Sequence, residues 1–268
     1  MVSTSILKPS GTSFGWCINQ YDGCAHGCRY CYGMTIRRKK YADWINSNSK
    51  ENVIERLEKD IKKLQSNGAK VNDVFLGSIT DSYQPLEREL KLTRQVVQVL
   101  KEHEMPFTIL TKSDLVLRDI DLFKNYKWCR VGVTIVSLDE SFRKELEQFS
   151  SSIVSRIAAL KALKSNDIST YVSCEPVFPV TESDPIAIVK EVRDYVDLFE
   201  FGMWNRYRIE GIASRYYEGY TDSYYAAMFK ELIEFCDRED INYGIASHSR
   251  NFVEKHGLPF RSYPSLKE

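Results

Sequence analysis

The stretch Asp22-Gly23-Cys24-Ala25-His26-Gly27-Cys28-Arg29-Tyr30-Cys31-Tyr32-Gly33 places three cysteines within eight residues, spaced C-x3-C-x2-C, with glycines at both ends and between. Thiolates are soft ligands that suit iron–sulfur clusters, zinc and Cu(I). Cluster-binding chains usually supply four cysteines, as do many structural zinc sites. Three in a tight loop, with no fourth nearby, suggest a cluster with one iron left open. Zinc would need His26 as a fourth ligand. His26 lies between the first two cysteines, where folding back onto the same ion is sterically awkward. Disulfides are not expected, because the cysteines number seven and Met1-Val2-Ser3-Thr4-Ser5 lacks a charged-then-apolar secretory pattern.

Cys24-x3-Cys28-x2-Cys31, with the aromatic Tyr30 before the last cysteine, resembles the signature of radical S-adenosylmethionine (SAM) enzymes. The resemblance implies that Cys24, Cys28 and Cys31 ligate a [4Fe–4S] cluster whose fourth iron chelates the amino and carboxylate groups of SAM. Within that family the chain is similar to the spore photoproduct lyase-like branch, which includes proteins labelled DNA repair photolyases. The similarity rests on Gly23-Cys24-x-His26-Gly27-Cys28-x-Tyr30-Cys31-Tyr32, Thr80-Asp81-x-Tyr83-Gln84-Pro85-x-Glu87 and Leu92-Thr93-Arg94. Thr111-Lys112-Ser113 before Arg118-Asp119, and Glu175-Pro176, continue it, so that residues 13 to 205 are covered and the C-terminal third is only loosely similar.

The elements that must position this loop follow from residue periodicity. Ser13 to Tyr21 reads as a first strand stopped by Asp22-Gly23, which puts the cysteines just past a strand end. Further strands are expected over Val71–Ile79, Phe107–Leu110, Arg130–Val136, Thr170–Cys174, Leu198–Met203 and Asn242–Ala246. Between them, helices are expected over Met34–Trp44, Asn52–Gln65, Leu92–His103, Asp119–Phe123, Ser150–Lys164, Ile186–Tyr195 and Tyr224–Arg238. Strands alternating with helices imply parallel pairing through right-handed crossovers. Periodicity alone does not separate a doubly wound sheet from a barrel. The resemblance implies an α/β partial TIM-like (β/α)6 barrel. With no linker or repeat, residues 1–268 are expected to form one domain, with a core of about 13–247 and an irregular tail of about 248–268.

In parallel barrels, functional groups gather at the C-terminal ends of strands. After the second strand, Gly77, Ser78, Thr80 and Asp81 offer close backbone approach and hydrogen-bonding groups, or form only a capped polar turn. The resemblance places this segment at the SAM amino group, with Tyr30 and Tyr32 beside the cofactor. Lys112 ends the third strand as an ammonium that could meet the SAM carboxylate. Ser137 after the fourth strand is implied to reach the SAM ribose. Glu175 after the fifth could bind ribose hydroxyls or substrate, or pair with Arg130 or Lys112. Trp204 and Asn205, with Arg206, close the sixth strand near the adenine or substrate, Trp204 being equally suited to the core. Of the free cysteines, Cys174 is the best placed for catalysis, beside Glu175; the alternative for Cys17, Cys129, Cys174 and Cys236 is a small buried hydrophobe.

The chain's composition bounds the rest. Hydrophobic residues at 43% and charged residues at 28% are ordinary globular values, and no apolar run is long enough to span a bilayer. A reducing cytoplasm is expected. The net charge of zero argues mildly against gripping long nucleic acid by its phosphates, although Arg37-Arg38-Lys39-Lys40 follows the cysteine loop directly. The resemblance implies reductive cleavage of SAM to a 5′-deoxyadenosyl radical that abstracts hydrogen from a substrate. A one-electron reductant of flavodoxin or ferredoxin type is then a partner. Reversal of a thymine photoproduct in DNA is the named activity of the branch and uses a further cysteine as hydrogen donor, yet no cysteine lies between Tyr32 and Trp128. Three readings stay open: a lyase of that type, modification of a small molecule or peptide, and a non-catalytic iron–sulfur or zinc protein.

Overall fold

The computed structural model describes residues 5–11, 15–204, 215–261, 264 and 266. One sheet of eight strands organises it: β1 (Leu7–Pro9), β2 (Trp16–Ile18), β5 (Val74–Leu76), β6 (Phe107–Thr111), β7 (Cys129–Thr134), β8 (Ser169–Val177), β9 (Leu198–Met203) and β10 (Tyr243–Ile245), in that spatial order. Within this sheet β2, β5, β6, β7, β8, β9 and β10 pair in parallel and β1 adds antiparallel to β2. A separate two-stranded ribbon, β3 (Tyr21–Asp22) with β4 (Asn48–Ser49), brackets the cysteine loop. The arrangement is the expected α/β partial barrel of parallel strands with outer helices.

Period-2 alternation sorts each strand's side chains into two layers. Val74, Leu76, Phe107, Ile109 and Val131 pack outward with Val53, Leu57 and Ile61, which recur every fourth residue on the helix Val53–Ser66. Val172, Cys174, Phe199 and Phe201 pack outward with Ile188, Val189 and Phe229 from the helices Pro185–Val192 and Asp222–Arg238. Local chemistry starts these helices: Ser152, Asp184 and Thr221 each accept a backbone N–H at the N-cap, and Pro185 follows its cap directly. Among the described residues no helix is long and apolar enough to cross a membrane.

Some expected elements differ. The helix read over Met34–Trp44 is two short helices, Tyr32–Arg37 and Tyr41–Ile45, because Arg38 adopts φ 53° and ends the first. The tail read as irregular carries the helix Ser247–Lys255, with Val253 buried in the second core; it is largely polar, so it left little periodic signal. Ser13 and Phe14 of the first expected strand, and Asn205 with Arg206, lie outside the described residues.

Inside the sheet, Gly132 lets Tyr171 cross the interior: a Cβ at 132 would sit 2.3 Å from the Tyr171 ring and 2.6 Å from its carbonyl oxygen. Gly132→Ala should therefore destabilise the chain by about 1–3 kcal/mol through overpacking, measured by urea unfolding. An unchanged midpoint would show that Tyr171 has room to move.

Candidate radical SAM site

The cysteine loop is moored on all sides by backbone and side-chain bonds. Cys24 N–H donates to the Trp44 carbonyl (2.9 Å), Arg29 N–H to the Leu146 carbonyl (2.8 Å) and Phe149 N–H to the His26 carbonyl (3.0 Å). Gln84 clamps it twice, accepting from Ala25 N–H at 2.9 Å and donating to the Gly23 carbonyl at 3.2 Å. The Tyr41 hydroxyl donates to the Gly27 carbonyl at 3.0 Å. With that anchoring, the Sγ-bearing residues Cys24, Cys28 and Cys31 line one cavity of about 420 Å³ inside the sheet.

Two carboxylates hold the loop against the strand ends. Asp81 accepts from Tyr83 N–H (2.8 Å), the Thr111 hydroxyl (2.7 Å) and Lys112 N–H (2.8 Å), and its Oδ2 lies 3.1 Å from His26 Nε2. Burial alone would raise its pKa, but His26 and these donors outweigh burial and hold it at about 2. Glu147, fully buried, accepts from the Tyr30 hydroxyl and, at 2.5 Å, from Arg156 Nη2. Arg156 also donates to the Thr134 carbonyl at 2.8 Å, which ties this pair to the end of β7.

The donor set fits an iron–sulfur cluster. Burial pushes the Cys24 thiol up to about 12, reinforced by Asp81 and Cys31. Cys28 and Cys31 are raised by burial as well, opposed in both cases by Lys112. Thiols this dry give up their protons only to strong positive charge, which bound iron supplies. His26 turns to Asp81, away from the role of a fourth ligand, and no three His, Cys, Asp or Glu among the described residues converge on a single ion. Ligands of a multi-iron cluster need not converge in that way, since each binds its own iron.

Around the same cavity stand Tyr30, Tyr32, Gly77, Ser78, Thr80, Asp81, Lys112, Glu175 and Trp204, so most of the expected site residues come together. Their roles differ. Asn19 organises the turn after β5: its amide donates to Ser78 Oγ at 2.8 Å, and its Oδ1 accepts from Ile79 N–H at 2.8 Å and Thr80 N–H at 3.1 Å. The Tyr32 hydroxyl donates to the Ser78 carbonyl. The Lys112 ammonium rests 5.6 Å from the Tyr30 ring centroid. Trp204 is buried, with its indole N–H unpaired among the described residues.

Two expected site residues are elsewhere. Cys174 faces outward into the second core near Cys236, because on β8 it alternates with the cavity-facing Ser173 and Glu175. Ser137 is buried in a turn, donating to the Glu182 carbonyl (2.5 Å) and accepting from Asp139 N–H (2.9 Å), outside the cavity lining. Nor does Glu175 pair with Arg130, whose guanidinium donates to the Pro264 carbonyl at 3.2 Å. Much of the motif shared with the lyase-like branch turns out to be scaffold: Glu87 takes Tyr21 O–H, Thr93 N–H (2.8 Å) and Arg118 (2.6 Å), while Asp119 takes Tyr83 O–H (3.0 Å) and Arg94 (2.9 Å).

Sequence reasoning missed Glu200 and His248. Glu200, inside the apolar run Leu198–Met203, was the available signal, since a charged residue there is buried on one face. Both line the cavity. His248 Nε2 lies 2.9 Å from the Met203 carbonyl and its Nδ1 3.3 Å from Glu175 Oε1. Burial pushes Glu175 up to about 7 against the pull of Lys112, and burial with the neighbouring Glu175 pushes Glu200 up to about 8. Burial lowers His248. A neutral His248 that donates from Nε2 presents a lone pair at Nδ1, so the Glu175 contact calls for a proton on Glu175.

The Radical SAM superfamily profile matches residues 18–192. The uncharacterized protein MJ0683 of Methanocaldococcus jannaschii is 34% identical over 217 residues, covering 80% of this chain and 77% of that one. The fold is similar to a spore photoproduct lyase variant (TM-score 0.60, 16% identity, 74% of this chain and 59% of the other). It is likewise similar to Streptococcus suis SuiB bound to precursor peptide SuiA (TM-score 0.61, 12% identity, 85% of this chain and 48% of the other). The chain thus spans less than two thirds of either solved protein, and at such identity the likeness is one of fold.

Two outcomes test the site's electrostatics. Asp81→Asn removes the charge opposite His26 and one acceptor, and should cost about 1–3 kcal/mol in urea unfolding and lower the iron bound per chain on reconstitution. Glu200 stays protonated on folding where the unfolded chain has ionised, so its presence makes stability fall as pH rises from about 4.5 to about 8. Glu200→Gln should flatten that fall in urea midpoints; an identical slope would show that Glu200 ionises freely.

Proposed function

Because this chain belongs to the radical SAM superfamily, we propose that it is an enzyme that cleaves SAM reductively to methionine and a 5′-deoxyadenosyl radical, which takes hydrogen from a substrate in the same cavity. The observation that carries the reading is the meeting of Cys24, Cys28 and Cys31 with Lys112 and the Ser78–Asp81 turn in one cavity. Cys24, Cys28 and Cys31 would hold the [4Fe–4S] cluster, which when bound supplies the electron that breaks the sulfonium S–C5′ bond. Lys112 gives a half-buried cation for the SAM carboxylate, its pKa raised by Cys28 and Glu147 against desolvation. The Ser78 and Thr80 segment offers carbonyls and hydroxyls to the SAM ammonium. Glu175 and Trp204 face the ribose, adenine or substrate. Phe178 packs edge to face on Tyr30 and tilted on Trp204, each at 5.3 Å between centroids, and the three rings keep water from one side of the cavity.

For the substrate, a small molecule or peptide is favoured over DNA. Cys174, the best candidate for a hydrogen-donating thiol, is turned to the outer core, and the chain carries no net charge to hold phosphates. The electron would come from a flavodoxin- or ferredoxin-type partner in a reducing cytoplasm.

Anaerobic reconstitution followed by SAM and dithionite should release 5′-deoxyadenosine, detected by chromatography, and each of Cys24→Ala, Cys28→Ala and Cys31→Ala should abolish it. A cluster-loaded sample that leaves SAM intact would refute the reading. Consumption of an irradiated thymine oligonucleotide photoproduct would restore DNA as the substrate.

A further inference from the structure

One wall of the same cavity is built for positive charge. Glu200 and Gly202 alternate along β9 with Phe199 and Phe201, which face the outer core, and Trp204 follows the strand's last residue. Glu200 stands in register with Ser173 on β8, whose hydroxyl is fully buried and lines the cavity. Two residues farther along β8 comes Glu175. A Cβ at 202 would lie 3.0 Å from Glu175 Cγ and 3.0 Å from His248 Cε1, so glycine leaves room where a side chain would crowd that carboxyl and imidazole. The result is two carboxyl groups converging at one end of a cavity.

Their partners are unequal. Glu175 has His248 at 3.3 Å. Glu200 is only 7% exposed and forms no ion pair with a lysine or arginine among the described residues. The charged and titratable groups that bear on this wall are Lys112 on Glu175, His248 and Arg250 on Glu200, and the two carboxyls on each other, with the Tyr32 hydroxyl close to both. A carboxyl buried on a strand's inner face is costly unless something satisfies it. A second, independent group points the same way: the Trp204 indole N–H, 1% exposed and lining the same cavity, has no acceptor among the described residues.

We propose that Glu200, with Glu175 and Trp204, forms a subsite for a substrate bearing an amine or guanidinium group. The cationic N–H donors pair with the Glu200 carboxylate and with the free carbonyl oxygen of a Glu175 that keeps its proton toward His248, and an acceptor atom elsewhere on the substrate receives the Trp204 N–H. His248 positions Glu175, held in turn by the Met203 carbonyl. This rests on the radical SAM reading only in taking the cavity as the place where substrate meets SAM.

The test uses the cluster- and SAM-loaded full chain in anaerobic calorimetry at pH 7, with agmatine as probe and 1,4-butanediol as its neutral counterpart. Agmatine should bind, butanediol should not, and Glu200→Gln should weaken agmatine at least about tenfold. Because the cation needs an ionised Glu200, agmatine binding should also release a proton. The heat then differs between phosphate and Tris buffers, a reading on the unmutated protein that survives if Glu200→Gln fails to fold. A blocked arginine pentapeptide binding as well as agmatine would mean the cation arrives on a peptide; agmatine binding alone would mean a small molecule. No agmatine binding, equal binding to the Gln variant, absence of proton release, or displacement of SAM by agmatine would each overturn the proposal. Release of 5′-deoxyadenosine from the same samples keeps the two readings apart: it can persist while agmatine fails to bind, and can be absent while agmatine binds.

Discussion

The site depends first on one carboxylate. Asp81 stands where three parts of the chain must agree: the cysteine loop through His26, its own turn after β5 through Tyr83 N–H, and the end of β6 through Thr111 and Lys112. No apolar contact could make this tie, since burial of side chains is non-directional and fixes no register between a loop and a strand end. A buried carboxylate accepting from four donors does fix one, and its low pKa measures how fully those donors replace water. It also aims Lys112: with the backbone N–H of Lys112 held, its side chain extends from a fixed point toward Tyr30 and the thiols.

Glu147 with Arg156 is a second, separate tie. Such a fully buried pair adds little net stability, because desolvation offsets attraction, yet removing one partner strands the other charge at a cost of about 3–5 kcal/mol. What it contributes is position. Tyr30, between the second and third cysteines, hangs from Glu147, and Arg156 hangs from the last carbonyl of β7. Together the two carboxylates triangulate the cysteine loop against β5, β6 and β7, so the thiols sit in one place relative to the barrel before any iron is bound. Gln84 and Tyr41 then fill in backbone groups that a glycine-rich loop cannot satisfy within itself.

How much of this was legible depended on whether the signal was local. The cysteine spacing, the strand–helix alternation and the strand-end residues Ser78, Thr80, Lys112 and Glu175 are local patterns, and they were readable. The mooring of the loop was not, because Glu147 and Arg156 lie more than a hundred residues beyond Tyr30 and carry no spacing that predicts the meeting. Asp81 was legible as important but not in its role: hydrogen-bonding capacity at a strand end looks alike whether it faces a ligand or the scaffold. Cys174 shows the converse error. Its strand position was right, but its face was decided by a one-residue alternation, and Glu175 beside it took the interior. The break at Arg38 within the helix read over Met34–Trp44 escaped because no glycine or proline marks it, and the helix after β10 escaped because it carries no sustained apolar stripe.

The two ends of the cavity have opposite electrostatic characters, and the fold explains how one chain keeps both. At the cysteine end an ammonium lies near three thiols, and every acidic group there is already bonded to the scaffold. At the β8–β9 end, two carboxyls share a wall with a neutral imidazole, and burial rather than a partner sets their pKa values. Strand alternation supplies the acidic wall: Ser173 and Glu175 on β8 and Glu200 on β9 line the cavity while Cys174, Phe199 and Phe201 face outward. Had Lys112 reached Glu200, each would have neutralised the other and neither end would discriminate among ligands. Lys112 pulls on Glu175, whereas burial, Glu175, His248 and Arg250 act on Glu200.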